Sequence, residues 1–284
     1  MGATHMPVPT CVLGGRGIRD HVTHGHNPEL FVELGSLTKV VTGTILTQLA
    51  EAGLLSLDDP LEHRLDEVPE GTGITLRHLA NHTSGLPTLP PGTSASSRDP
   101  YASFTEPVLH ETLRGLDKAV TGTVGSRTYS NFGYAVLGHV LTASTGRTFQ
   151  QLTDEYVLAP LELPAGAVTA DPPSGQCLVP TGLLRRPLST WDLSGPILPA
   201  GGLWAAPRTT ARLVVGLTVD RVLGDPAPTW VRSGQALWHN GATRNASAFA
   251  AAHDDGRWIF VHRLRGNHRR TERLAVKILL GHKR

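Results

Sequence analysis

Apolar positions along this chain change period, and the changes mark out its elements. CVLGG (11–15) and LFVEL (30–34) are short apolar runs separated by Gly, Asn and Pro, and they read as strands. In SLTKVVTGTILTQLAEAG (36–53), Val40, Val41, Ile45, Leu46 and Leu49 recur at helical spacing, and Gly53 supplies a stop. Ser36 stands at the strand-to-helix junction, where it suits an N-cap. Residues 56–125 break into short helices and loops, including the Pro/Ser/Gly-rich stretch 89–100. NFGYAVLGHVLTASTG (131–146) predicts a helix ended by Gly146, and FQQLTDEYVLAPL one that stops at Pro160. PAGGLWAAPRTTARLVVGL (199–217) reads as a glycine-rich turn entering a helix. Residues 236–253 and 257–264 predict two antiparallel strands joined at Asp254-Asp255-Gly256, and 271–283 a closing helix. Strands at both ends with helices between predict one sheet built from both termini, with a helical insertion beside it.

Composition narrows the class. Hydrophobic residues are 39% of 284, the charge is +2 from 26 basic and 24 acidic side chains, and no apolar run approaches membrane-spanning length. Disorder, a nucleic-acid footprint and a transmembrane helix are excluded as organising features. No apolar leader is visible, MGATHM (1–6) is set aside as an expected vector remnant, and Cys11 and Cys177 are too few for a disulfide framework. A cytoplasmic location is expected. Only Lys39, Lys118, Lys277 and Lys283 are lysines among the basic residues, which makes each one informative.

Three short motifs carry candidate chemistry. In Ser36-Leu37-Thr38-Lys39 the i, i+3 spacing puts the amine near the hydroxyl, whose proton it can take if burial lowers its pKa. The spacing alone also fits an N-cap serine followed by a surface lysine. Tyr129-Ser130-Asn131 offers a phenol that can shuttle a proton, with a pKa depressed beside a lysine ammonium, and an amide that can orient the lysine. Packing of Tyr129 in a loop and capping by Asn131 is the plainer reading. His239-Asn240-Gly241-Ala242 offers a strand edge where Gly admits substrate backbone and the Ala242 amide can pair with that of Ser36 as an oxyanion hole. A satisfied strand histidine is the alternative.

In this order the motifs resemble the serine β-lactamase and penicillin-binding protein superfamily. The likeness is to the branch holding class C β-lactamases, family VIII esterases, D-aminopeptidases and related acyltransferases. ELGSLTKVVTGTILTQLAEAGLLSLDDPL, ITLRHLANHTSGLP, RTYSNFGYAVLGHVLTASTGRTF, LPAGGLWAAPRTTARLV and HNGATRNASAF carry it across most of residues 30–253. The resemblance implies an α/β (α+β) fold, an antiparallel sheet flanked by helices with a reduced all-helical lobe. As one unit over 1–284, the sheet lobe is expected at about 7–55 and 200–284 and the helical lobe at about 56–199. It implies an acyl-serine mechanism in which Ser36 is nucleophile, Lys39 base and Tyr129 proton shuttle. Asn131, His239, Asn240, Gly241 and Ala242 then line the substrate site. The third motif opens with His239-Asn240 where typical β-lactamases have Lys-Thr, and only 110 residues separate Tyr129 from His239. A more open cleft and weak activity on penicillins and cephalosporins are therefore expected.

The expected activity is hydrolysis of a small-molecule ester or amide. An acyltransferase with an acyl acceptor or carrier protein as partner, and a non-catalytic binding protein of the same fold, are the alternatives. No cofactor, metal, nucleic-acid or membrane partner is expected. His21, His24 and His26 lack further metal ligands and read as an exposed hairpin; Arg263, Arg265, Arg269 and Arg270 read as a solvated turn. Arg244, five residues past His239, is expected on the opposite strand face unless a bulge returns it to the cleft.

Overall fold

The structure is a computed structural model that describes residues 7–182, 186–265 and 267–281. Its principal sheet has six antiparallel strands in the order β2-β1-β9-β8-β7-β6. These are β1 (Thr10–Gly15), β2 (His21–Thr23), β6 (Val231–Ser233), β7 (Ala236–Ala242), β8 (Ala246–His253) and β9 (Trp258–Leu264). A second, small sheet joins Val32–Glu33 (β3), Val168–Thr169 (β4) and Trp204–Ala205 (β5) in the order β3-β5-β4.

The large sheet is apolar on both faces, and strand alternation sorts its side chains between two layers. Val12, Phe249, Ala251, Ile259 and Val261 meet Ala275 and Leu279 of the closing helix, His268–Gly281. On the other face Cys11 and Leu13 meet Ala211, while Ala248, Ala250 and Phe260 join the main core. The small residues of β8 let a central strand be covered on both sides.

Nine α-helices lie among the described residues. They are α1 (Thr38–Glu51), α2 (Leu76–Ala80), α3 (Glu106–Arg114), α4 (Leu116–Ala119), α5 (Asn131–Thr145), α6 (Phe149–Thr153), α7 (Leu198–Gly201), α8 (Pro207–Thr218) and α9 (His268–Gly281). α1 is buried almost all round, from Thr38 through Leu46 and at Leu49. It forms the spine against which α5, α6 and α7 pack. Gly146 ends α5 with φ 67°, the left-handed conformation that a glycine stop supplies.

Several expectations need correction. The apolar run 30–34 yields only the two-residue strand β3, because Gly35 turns the chain at φ 53°. Residues 236–253 are two strands, β7 and β8, folded back at Thr243–Asn245, where Thr243 N–H donates to the Ala246 carbonyl at 3.0 Å. α9 starts one turn before the expected 271, and residues 282–284 lie outside the described residues, as does MGATHM. His24 sits in a turn at φ 53°. His26 is buried, with Nε2 2.9 Å from His262 Nδ1 on β9, so the expected exposed hairpin is half right. No described helix is long and apolar enough to cross a membrane.

Candidate active site

Ser36 does not cap a helix. It lies inside a 3₁₀ turn, Gly35–Leu37, that runs into α1, and neither helical start has a side-chain cap. Its hydroxyl is therefore free for other partners. Lys39 Nζ lies 3.2 Å from Ser36 Oγ, and the Tyr129 hydroxyl donates to the same oxygen at 2.6 Å.

Lys39 is fully buried, and desolvation holds its amine well below the usual lysine range. Its other oxygen neighbours are Asn131 Oδ1 at 2.7 Å and the Ala200 carbonyl at 2.5 Å. Both can only accept. In its neutral form the amine has two N–H groups and one lone pair; with the N–H groups on these two oxygens, the lone pair faces the Ser36 hydroxyl. The motif spacing expected these residues together, and the structure brings them together around a desolvated amine.

Tyr129 corrects one expectation. Two-fifths of the residue is exposed, yet its hydroxyl end is enclosed against Ser36, and desolvation pushes the phenol up rather than down. Burial outweighs the nearby amine here. Tyr129 thus holds its proton at neutral pH as a donor. The lysine nitrogen lies 4.9 Å from its ring centre and 5.4 Å from that of Tyr134.

The segment carrying Tyr129 is pinned from one side. Ser130, not Asn131, caps α5, accepting from Gly133 N–H at 2.7 Å and donating to the Pro87 carbonyl at 2.6 Å. That leaves the Asn131 amide free to bridge Lys39 and the Tyr101 hydroxyl, to which its Nδ2 donates at 2.8 Å. His82 accepts the Ser130 N–H at 3.1 Å, and its ring lies 4.4 Å from that of Tyr129. Burial, then the nearby Lys39, push this imidazole down to about 3.

β7 forms the opposite wall. β6 pairs only with Ala236–Trp238, which leaves 239–242 a free edge among the described residues. A Cβ on Gly241 would stand 2.0 Å from the Leu34 carbonyl oxygen, and one on Gly35 2.7 Å from the Ala242 nitrogen. Only glycine permits this contact between strand and serine turn. It brings Ser36 and Ala242 to the rim of one cavity of about 210 Å³, which Tyr101, Asn131 and Trp191 also line.

His239 is buried on the site side of β7, its Nδ1 bonded to the Asn240 carbonyl at 2.7 Å, and burial with the Lys39 neighbourhood pushes it down to about 3. Asn240 departs from expectation. Alternation places its side chain with Trp238, which packs on the α9 face, so it does not face Ser36. Arg244 lies in the turn after β7, where neither strand-face rule applies, and its guanidinium bonds the Arg98 carbonyl.

The cleft is less open than a shortened helical lobe suggested. Arg244 reaches Arg98, Asn245 Nδ2 donates to Ser189 O at 2.8 Å, and Asp99 accepts the Asp192 N–H at 2.7 Å. These contacts tie three loops together above the cavity. A larger groove of about 580 Å³, between α8 and β1, contains none of the residues around Ser36. Sequence reasoning missed His82, Tyr101 and Trp191; scarce aromatics in a loop-rich stretch were the available signal.

A sequence model of the Beta-lactamase family matches residues 12–275. The chain belongs to the Beta-lactamase family. It is 30% identical over 183 residues to D-alanyl-D-alanine-carboxypeptidase/endopeptidase AmpH of Escherichia coli, covering 62% of this chain and 46% of AmpH. It is 28% identical over 135 residues to the putative penicillin-binding protein PbpX of Bacillus subtilis, 48% of this chain and 32% of PbpX. The chain thus spans about half the length, or less, of these curated relatives. Among solved structures, a class C β-lactamase from Rhodobacter sphaeroides superposes with a TM-score of 0.77 at 18% identity, over 97% of this chain and 95% of that one. A β-lactamase/D-alanine carboxypeptidase from Yersinia pestis gives 0.75 at 20% identity, over 97% and 93%. At those identities the likeness is one of fold.

Proposed function

We propose that this protein is a serine hydrolase that cleaves a small ester or amide through an acyl-Ser36 intermediate. The observation that carries the reading is Ser36 Oγ held between a desolvated amine and a protonated phenol. Lys39 takes the Ser36 proton as Oγ attacks the substrate carbonyl, and the oxyanion forms against the Ser36 and Ala242 amides. Tyr129 protonates the leaving group. The proton on Lys39 passes to the Tyr129 phenolate, which restores the base, and water then attacks the acyl carbonyl while Ser36 Oγ leaves with a proton to release the acid. The cavity beside Ser36 lies below the roughly 300 Å³ at which drug-sized ligand sites begin, which favours a small acyl group.

A fluorophosphonate probe followed by intact-mass spectrometry tests the first half-reaction. One adduct is expected, and Ser36→Ala removes it; modification of a different serine, or none on folded protein, refutes the assignment. Added alcohol or amine separates hydrolysis from acyl transfer by partitioning the acyl group. Ester turnover is expected to exceed nitrocefin turnover, because neutral His239 replaces the lysine charge that would hold a β-lactam carboxylate. Comparable rates for the two would overturn that preference.

A further inference from the structure

Three potential metal ligands converge in the helical part of the molecule, away from Ser36. Glu67 lies in the chain before α2, His110 on α3 and His139 on α5. His110 Nδ1 is 2.8 and 2.9 Å from the two Glu67 oxygens, and His139 Nε2 is 3.6 Å from Oε1. One ligand atom from each lies within 4.8 Å of the others, and all three side chains are partly buried.

An ordinary hydrogen-bonded His–Glu pair accounts for His110 but not for His139. Its nitrogen faces the same carboxylate oxygen from beyond hydrogen-bond range. The two imidazoles stand edge to face, 5.1 Å between ring centres, with the carboxylate shared between them. Ligands about 2.0–2.2 Å from a tetrahedral zinc ion lie about 3.3 Å apart, so closing this set needs side-chain movements of about 1 Å. A cavity of about 190 Å³ borders His139 and Glu106. Glu106 is one turn before His110 on α3, so a carboxylate or a water has room to complete the coordination.

We propose that Glu67, His110 and His139 form a site for a divalent first-row metal ion. Zinc is best matched by two imidazole nitrogens and one carboxylate oxygen. His139 is eight residues along α5 from Asn131, about 12 Å at helical rise, too far for the ion to touch a substrate at Ser36. The ion would instead join the segment at Glu67 to α3 and to α5, the helix whose first residue orients Lys39.

The test uses tag-free, chelator-stripped full-length protein titrated with Zn²⁺ against a chromogenic chelator, alongside thermal unfolding. One ion per chain and a rise in Tm of about 3 °C or more at saturating zinc are expected. Co²⁺ should give a visible absorption band. His110→Ala with His139→Ala removes all three signals, whereas His21→Ala with His24→Ala leaves them. If the first double variant fails to fold, Glu67→Gln keeps the side-chain shape and must weaken zinc at least about tenfold. Equal zinc stoichiometry in the folded double variant, unchanged affinity in Glu67→Gln, or no binding tighter than about 10 μM in the parent overturns the proposal.

Discussion

At the scale of single residues, the chemistry turns on which groups keep their protons. Burial lowers the pKa of Lys39 and raises that of Tyr129, so one desolvated pocket favours an uncharged amine beside a protonated phenol. Lys39→Ala should slow acylation more than about a hundredfold, the scale of a lost general base. The acylation rate should fall on acidification as the amine becomes protonated. Because burial lowers that pKa, the fall comes well below the pH at which a free lysine titrates. Tyr129→Phe should reduce turnover more than His239→Ala, whose effect is expected mainly in KM because His239 is neutral and bonded to its own strand. Pre-steady-state kinetics checks this, and turnover stopped by His239→Ala but spared by Tyr129→Phe would reverse the two roles. Ser36, Lys39, Tyr129 and Asn131 were legible because helical spacing and motif order tie them together. His82 was not, since its contact with Tyr129 joins residues far apart in sequence and no periodicity encodes that approach.

Among the elements, the meeting of β7 with the serine turn does most to shape the site. A Cβ at residue 241 would meet backbone at 2.0 Å, and backbone cannot rotate aside as a flexible side chain would. Gly241→Ala must therefore push β7 away from Leu34, displacing the Ala242 amide from the Ser36 rim. A cost of about 1–3 kcal/mol in stability is expected from such overpacking. Activity should fall further than stability explains, about a hundredfold if one oxyanion donor is lost. Chemical unfolding and ester kinetics on the same variant separate the two, and wild-type kcat would show that the strand edge tolerates displacement. The sequence pattern located β7 but fused it with β8. Thr243-Arg244-Asn245 lacks the Gly or Pro that usually marks a hairpin, so the turn carried no strong signal. The same fusion misplaced Arg244, because a face rule for strands was applied to a turn residue.

Across the whole molecule, strands from both ends of the chain share one sheet, as the order of apolar patterns implied, while the loop-to-loop ties over the cavity left no sequence signal. This packing also buries histidines as neutral rings. His26 is held down at about 4, and His82, His239 and His262 at about 3, each chiefly by burial. In the unfolded chain they titrate near 6.5. Folded pKa values below unfolded ones mean that the unfolded state binds more protons below pH 6.5, so stability is lost as pH falls from there toward 3–4. Glu33, raised by burial, works in the opposite sense, but as one group against four. Four rings protonated only on unfolding give a slope of about 5 kcal/mol per pH unit once pH is below about 5.5. A domain stable by only about 5–15 kcal/mol cannot withstand that for long. Cooperative unfolding is therefore expected between about pH 4 and 5, with an uptake of about three to four protons. The dependence of unfolding free energy on pH measures that number directly. Replacing the facing pair, His26→Leu with His262→Leu, should lower it by about two if the variant folds. A parent protein that takes up fewer than about one proton would show that these rings are not neutral in the folded state.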